Sequence, residues 1–413
     1  YYAMNQWQTA ALQPPHLTAM CAWEGASDYY RELCRHGGIL SDFLDGWYLR
    51  QVKSVQYGVG SRAKINPNNG RSVAGDITLS DAELAANRAE THLDAQNHEL
   101  LDDFYKQRIP DYSKIKTPFL SAANWGGIGL HPRGNFEGFL QSASEQKWLE
   151  VHGDTHFSHF YSNYGLALQK KFFGYFLKGE DTGWANMPKI QLNIRHPGEK
   201  FVLRGEDDWP LARTKWTQYY LQPDGKTLST DKPKVNHSTS YHTRSDGLSF
   251  SSGPLKQALE ITGPIAAKLR ISSETSDADI FLALRVFDDK GVEVSFIGSN
   301  DPRTPVALGW LRASHRKTDP AKSLPYRPWH THDEKQLLTP FQPVDLDIEI
   351  WPTSIVIPVG YSFVLNVRGK DYRYDDKGVT LPFDSQVKYG VGPFTHENPI
   401  DRPAEIFHTS NTL

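Results

Sequence analysis

The sequence predicts an α/β fold up to about residue 185 and an all-β sandwich beyond it. Between Thr117 and Leu177, segments of strand and helix character alternate, which is the pattern of a parallel sheet covered by helices. After Pro188 the texture changes to short runs of alternating or β-branched residues, among them Ala267 to Ser272, Ile280 to Phe287, Leu346 to Ile350 and Ser362 to Val367. Asp-Gly, Gly-Pro and Pro-Val-Gly turns separate these runs, and no strong helical stretch interrupts them. A chain of 413 residues also exceeds one ordinary core, so two or three domains are expected.

The elements follow in order. Met4, Trp7, Ala11 and Leu12 recur at helical spacing until Pro14 and Pro15 stop the pattern. Leu17 to Trp23 then reads as a buried strand. From Gly25 to Tyr112 polar loops and turns dominate, with one long helix expected from about Asp81 to Gln107. Its start is marked by a Ser80 and Glu83 capping box and a Leu79 and Leu84 hydrophobic staple. The α/β part continues as a strand (Pro118 to Ala123), a glycine-rich turn and a helix (about Phe136 to Ser144). A second strand (Lys147 to Val151), a loop with histidines and a helix (about Tyr161 to Leu177) complete it.

Composition excludes several classes. Hydrophobic residues make up 38 % of the chain, so it has material for packed cores. The 45 basic and 48 acidic residues are mixed along the chain and leave a net charge of −3, which gives no footprint for nucleic acid or an anionic membrane. No run approaches the length of a transmembrane helix, and the expectation is a soluble protein, slightly favouring the cytoplasm. Cys21 and Cys34 are too few for a disulfide framework, although a single bridge between them is open.

Three blocks of residues carry a resemblance. The opening Tyr1-Tyr-Ala-Met-Asn-Gln-Trp-Gln is similar to the segment that follows the nucleophile in the CocE/NonD and X-prolyl dipeptidyl-peptidase hydrolases. The block Trp148-Leu-Glu-Val-His-Gly-Asp-Thr-His156 resembles their base-carrying strand and loop. Gly309-Trp-Leu-Arg-Ala-Ser-His315, with Ile357-Pro-Val-Gly-Tyr361, resembles their terminal jelly-roll.

The resemblance implies a partial α/β-hydrolase core (1–24 and 113–185), a helical cap (25–112) and a galactose-binding-like jelly-roll (186–413). It implies His156 as general base and the backbone N–H of Tyr1 as an oxyanion donor. The nucleophilic serine would directly precede Tyr1. No Gly-x-Ser-x-Gly occurs in the sequence, so the chain by itself is expected to be inactive. Where these hydrolases carry their triad aspartate, two residues after a Trp, this sequence has Gly127. Asp154 and Glu137 are the nearby substitutes.

The implied reaction is cleavage of an ester or amide acyl bond in a small substrate, through an acyl-enzyme, with no metal or organic cofactor. Other readings stay open. A non-catalytic protein that binds carbohydrate or a partner through the jelly-roll would account for the glycine at the acid position. His152 and His159 flank His156 at spacings that could serve a metal, and His330-Thr-His332-Asp333 reads as a solvated turn. Trp23, Trp47, Tyr48 and Trp125 are read either as lining an acyl pocket or as ordinary packing.

Overall fold

The computed structural model describes every residue except 375–378, 382, 383, 389, 391 and 393. The chain opens with helix α1 (Tyr2–Ala11), which buries Ala3, Trp7 and Ala10 on one face. Strand β1 (Met20–Trp23) follows, fully buried. After an excursion of about 90 residues the sheet resumes with β2 (Phe119–Asn124), β3 (Lys147–His152), β4 (Ile190–His196) and β5 (Lys200–Glu206). The spatial order is β1-β2-β3-β4-β5. The first three pairings are parallel and the last is antiparallel.

Period-two alternation sorts the strand residues onto two covered faces. Phe119, Leu149, Val151 and Ile190 pack with Trp7 of α1 and with Phe136 and Phe139 of a helix between β2 and β3. Leu120, Ala122 and Trp148 pack on the other side with Leu168 and Phe172 of the helix Asn163–Lys178. The helix between β2 and β3 runs Pro132–Gln141, with Pro132 in its first turn. It therefore starts earlier than the sequence indicates, because proline is pre-shaped for a helix start.

The excursion contains short helices in place of one long one. α2 (Phe43–Tyr48) precedes α3 (Asp81–Ala86), α4 (Thr91–Asn97) and α5 (Asp103–Lys106). The capping box at Ser80 and Glu83 is formed. The expected rod is broken at Asn87 and again at His98, and Asp102 caps a new start by accepting the N–H of Phe104. Each of the three helices after residue 80 buries a single residue (Leu84, Ala95 or Tyr105). A straight helix has no continuous apolar stripe here with which to stay docked.

Beyond residue 239 the chain is all-antiparallel and barrel-like. The continuous path of its main sheet is formed by β6 (Ser240–His242), β7 (Leu248–Ser251), β8 (Leu259–Ser273), β9 (Asp279–Phe287), β10 (Ala307–Arg312), β11 (Val344–Ile357), β12 (Ser362–Arg368) and β13 (Ser410–Thr412), with the short strand Glu293–Val294 paired to β9 off that path. They pair in the order β6-β13-β8-β11-β10-β9-β12-β7. Ile280, Leu282, Leu284 and Val286 of β9 point inward with Leu346, Ile348 and Ile350 of β11. Phe281, Leu308, Trp310 and Trp351 face outward and are buried by Ile39 of the excursion and Ile128 after β2.

Cys21 lies in β1 and Cys34 in the excursion, and both are free thiols, so the bridge left open by the sequence is not formed. Among the described residues no helix is long and apolar enough to cross a membrane.

Candidate active site

Parallel strands align their carboxyl ends, and the residues just past β1, β2 and β3 meet there. Glu24 follows β1 directly. Its N–H donates to the Ala122 carbonyl (2.7 Å). Its φ of +48° lies in the left-handed region, a conformation that costs a non-glycine residue about 1 kcal/mol or more. Asn135 fixes the turn from behind: its Oδ1 accepts the Gly25 N–H (3.1 Å), while its Nδ2 donates to the Ala22 carbonyl (2.9 Å).

His156 sits in the loop after β3. Its N–H donates to the Ser299 carbonyl of the β domain (2.8 Å), and the Ser299 N–H donates in turn to the Gly126 carbonyl (3.1 Å). The β domain thus ties the histidine loop to the turn after β2. The Asn124 side chain braces the same loop by donating to the Asp154 carbonyl (2.8 Å).

The imidazole Nδ1 of His156 lies 2.7 Å from Oε2 of Glu24. Glu24 is fully buried, while the His156 side chain keeps 27 % exposure. Burial alone would push the Glu24 carboxyl up. The charge of His156 and the imidazoles of His131, His152 and His156 around it hold it well below the usual carboxylate range. With Nδ1 committed to Glu24, Nε2 is the nitrogen left to act on a substrate or nucleophile.

Glu24 is the residue that sequence reasoning missed. Neither Asp154 nor Glu137 holds the place considered for it. Asp154 turns its carboxylate onto the Thr155 N–H (2.6 Å). Glu137 lies on the helix between β2 and β3 and pairs with Arg327 of the β domain. Gly126 and Gly127 have a packing reason instead. A Cβ at Gly126 would stand 2.5 Å from the Gly298 Cα, and one at Gly127 3.1 Å from the Pro132 ring. A signal for Glu24 existed in Ala22-Trp23-Glu24-Gly25, a carboxylate and a glycine directly after an all-apolar strand.

Tyr1 caps the N-terminal end of α1, and the first turn of that helix packs against Gly25, next to Glu24. The Tyr1 ring meets Tyr2 and the edge of Trp47 at centroid distances of 4.4 and 5.4 Å. His131 links the two sides. Its ring stacks on His156 at 5.1 Å. It is pushed down to about 4, mainly by burial, with smaller contributions from the charges of His156 and the Tyr1 α-amino group. The first turn of α1 and the His156 imidazole both lie beside the Glu24-Gly25 turn.

Of the four aromatics considered for an acyl pocket, Trp47 contacts Tyr1. Trp125 is core, with Nε1 donating to the Asn193 carbonyl (2.9 Å). Trp23 packs at a tilt against His152, and Tyr48 is buried against His92. His330 and His332 do not form a solvated turn. Both are buried, and His332 Nδ1 lies 3.0 Å from His315 Nδ1.

Two sets of three side chains, Glu24 with His131 and His156, and Glu150 with His152 and His159, bring ligand-type atoms within 4.8 Å of one another. In each set the two imidazoles are stacked, 21° apart in the first and 9° in the second.

A histidine held by a buried carboxylate at the carboxyl ends of parallel strands is the arrangement from which hydrolases build a general base. The family model of X-Pro dipeptidyl-peptidase (S15 family) matches residues 1–158, and that of its C-terminal non-catalytic domain matches residues 182–380. A crystal structure of a CocE/NonD family hydrolase from Staphylococcus aureus is 32 % identical, with a TM-score of 0.81 over 99 % of this chain and 67 % of that one. The chain belongs to the CocE/NonD hydrolase family.

Cocaine esterase of Rhodococcus sp. (strain MB1 Bresler) is 29 % identical over an alignment of 162 positions that covers 30 % of this chain. The matched region spans only 28 % of that esterase's length. An α-amino acid ester hydrolase shares the fold, with a TM-score of 0.68 at 13 % identity, over the whole of this chain and 73 % of that one.

Proposed function

We propose that this chain carries the base, the orienting acid and part of the oxyanion site of a serine hydrolase that cleaves ester or amide acyl bonds. The observation that supports it best is the 2.7 Å contact between His156 Nδ1 and the buried Glu24, with the histidine still reachable from solvent. In this reading a serine directly preceding Tyr1 attacks the acyl carbon while His156 Nε2 takes its proton. The same nitrogen then gives that proton to the departing alkoxide or amine. Water, deprotonated by His156, releases the acyl group and regenerates the serine. The N–H of Tyr1, at the start of α1, donates to the oxyanion. The segment 25–112 acts as a cap whose Trp47 borders the substrate region, and the β domain holds the histidine loop in place.

The test compares two polypeptides with an activated ester and with an X-Pro amide. The 413-residue chain alone should give background rates. A form extended upstream through a Gly-x-Ser should turn over, lose that turnover to a serine-directed phosphonate, and lose it again on His156→Ala. An extended form whose activity survives His156→Ala would refute the assignment.

A further inference from the structure

Behind the His156 and Glu24 pair lies a second pair that no step above uses. Glu24 Oε1 is 3.1 Å from His152 Nε2, and His152 Nδ1 is 2.7 Å from Glu150 Oε2. Glu24, His152 and Glu150 all have fully buried side chains. The four groups form one line: His156, Glu24, His152, Glu150.

We infer that His152 is a buried imidazolium clamped between two carboxylates, and that His152 and Glu150 are positioning residues that hold Glu24 ionised with one oxygen turned to His156.

The inference follows from counting hydrogens. Each nitrogen of His152 faces a carboxylate oxygen, and an ionised carboxylate only accepts. A neutral imidazole would point a lone pair at one of the two, which is repulsive unless that carboxyl carries the proton. The amide and hydroxyl partners of both acids are donors as well, and His131 Nδ1 and His159 Nε2 stand farther off, 3.7 Å from Glu24 Oε2 and 3.9 Å from Glu150 Oε1. Asn124 Nδ2 reaches Glu24 Oε1 (3.3 Å), and Asn193 Nδ2 and the Tyr164 hydroxyl reach Glu150 Oε1 (3.0 and 3.4 Å). These donors favour the ionised form of Glu24, which is held well below the usual carboxylate range. Two buried carboxylates without a cation between them would be costly.

The charged neighbourhood agrees. His159, in the short helix Ser158–Tyr161 after β3, lies flat on His152 at 4.4 Å and is held down by burial and then by the charge of His152. Cys21 of β1 is pushed up to about 12, mainly by burial and then by the charge of Glu150. Trp23 covers the remaining side of the imidazole at 5.2 Å. Burial opposes the charge on His152, but Glu150 and then Glu24 outweigh it and raise its pKa to about 9.

The arrangement has a function only if the reading of Glu24 as orienting acid holds. With Oε1 taken by His152 and Asn124, only Oε2 is left for His156 Nδ1, which fixes the tautomer that leaves Nε2 as base.

The experiment locates the protons directly and needs no turnover, so its failure is separable from failure of the hydrolase reading. The whole chain is labelled with ring-¹⁵N histidine and its ring nitrogens are recorded at about pH 8, above the ordinary imidazole range. His152 is assigned by its loss in His152→Gln and, independently, by its proximity to Trp23 and His159. The expected result is N–H at both nitrogens of His152. Glu150→Gln should remove one of those protons and shift the His156 ring signals, and Glu150→Asp should restore both. A neutral His152 at this pH would overturn the inference. So would a ring nitrogen that is freed only by a chelator, or His156 signals indifferent to Glu150→Gln.

Discussion

Replacing Glu24 with Gln keeps the shape of the side chain and removes its charge. The amide offers His156 Nδ1 either an oxygen or an N–H, and the second choice selects the wrong tautomer. In the serine-extended form this should lower kcat by roughly 10³ to 10⁴-fold with a much smaller change in KM. Steady-state kinetics of Glu24→Gln beside the parent checks it, and an unchanged kcat would remove Glu24 from the mechanism. At this scale the sequence was partly readable. His156 stood out because its strand and loop form a continuous block ending at Thr155-His156. Glu24 did not, because its contact with His156 spans 132 positions and depends on a left-handed turn that nothing in the local pattern announces. His152 and His159 were visible as histidines, but their stacking and the carboxylates around them arise only when β1 and β3 flank β2.

At the level of elements, the site depends on how closely α1 approaches the turn after β1. A Cβ at Gly25 would lie 2.4 Å from the Ala3 Cβ and 2.9 Å from the Ala3 carbonyl carbon. Neither atom belongs to a flexible side chain, so Gly25→Ala has to push the first turn of α1 away from Glu24. The expected outcome is a loss of about 1 to 3 kcal/mol in stability, read from denaturant midpoints. In the extended form kcat should fall as well, because the Tyr1 N–H moves with the helix. Loss of stability with full activity would detach α1 from the oxyanion role. The strands were legible because their apolar runs are short and bounded, and the capping box at Ser80 was legible because its chemistry is local. The expected helix from Asp81 to Gln107 was not, because its breaks at Asn87 and His98 are set by which single residue each turn can bury. The same limit hid the burial of His330 and His332, whose loop reads as polar until it is folded onto Tyr30 and His315.

Across the whole molecule, the excursion, the α/β sheet and the β domain are joined by buried charge and by buried neutral imidazoles. Arg35 of the excursion pairs with Asp401, and Arg312 of β10 pairs with Asp401 and with Asp279. Arg133 bridges Glu32 and Glu349. The imidazoles titrate in the opposite sense. Burial pushes His36 and His315 down to about 3 and His131 and His330 to about 4, and it holds His332 well below the ordinary range, with the charge of Arg31 adding to the effect. A histidine whose folded pKa is depressed leaves the unfolded chain holding more protons below about pH 6.5. Its contribution to stability is therefore complete above that pH and is lost as the pH falls toward the folded value, at about 1.4 kcal/mol per pH unit for each such group. His152 runs the other way: its pKa is raised to about 9, so its contribution is complete below the ordinary imidazole range and disappears as the pH rises through 9. Stability should accordingly peak near neutrality and fall more steeply on the acid side, where these five groups and His159 act together. His332→Gln removes one of them and should flatten the slope of unfolding free energy against pH between about 4 and 6.5 by one proton's worth. Chemical denaturation at a series of pH values measures that slope directly. An unchanged acid slope in His332→Gln would mean that the histidines joining the excursion to the β domain do not govern its acid sensitivity.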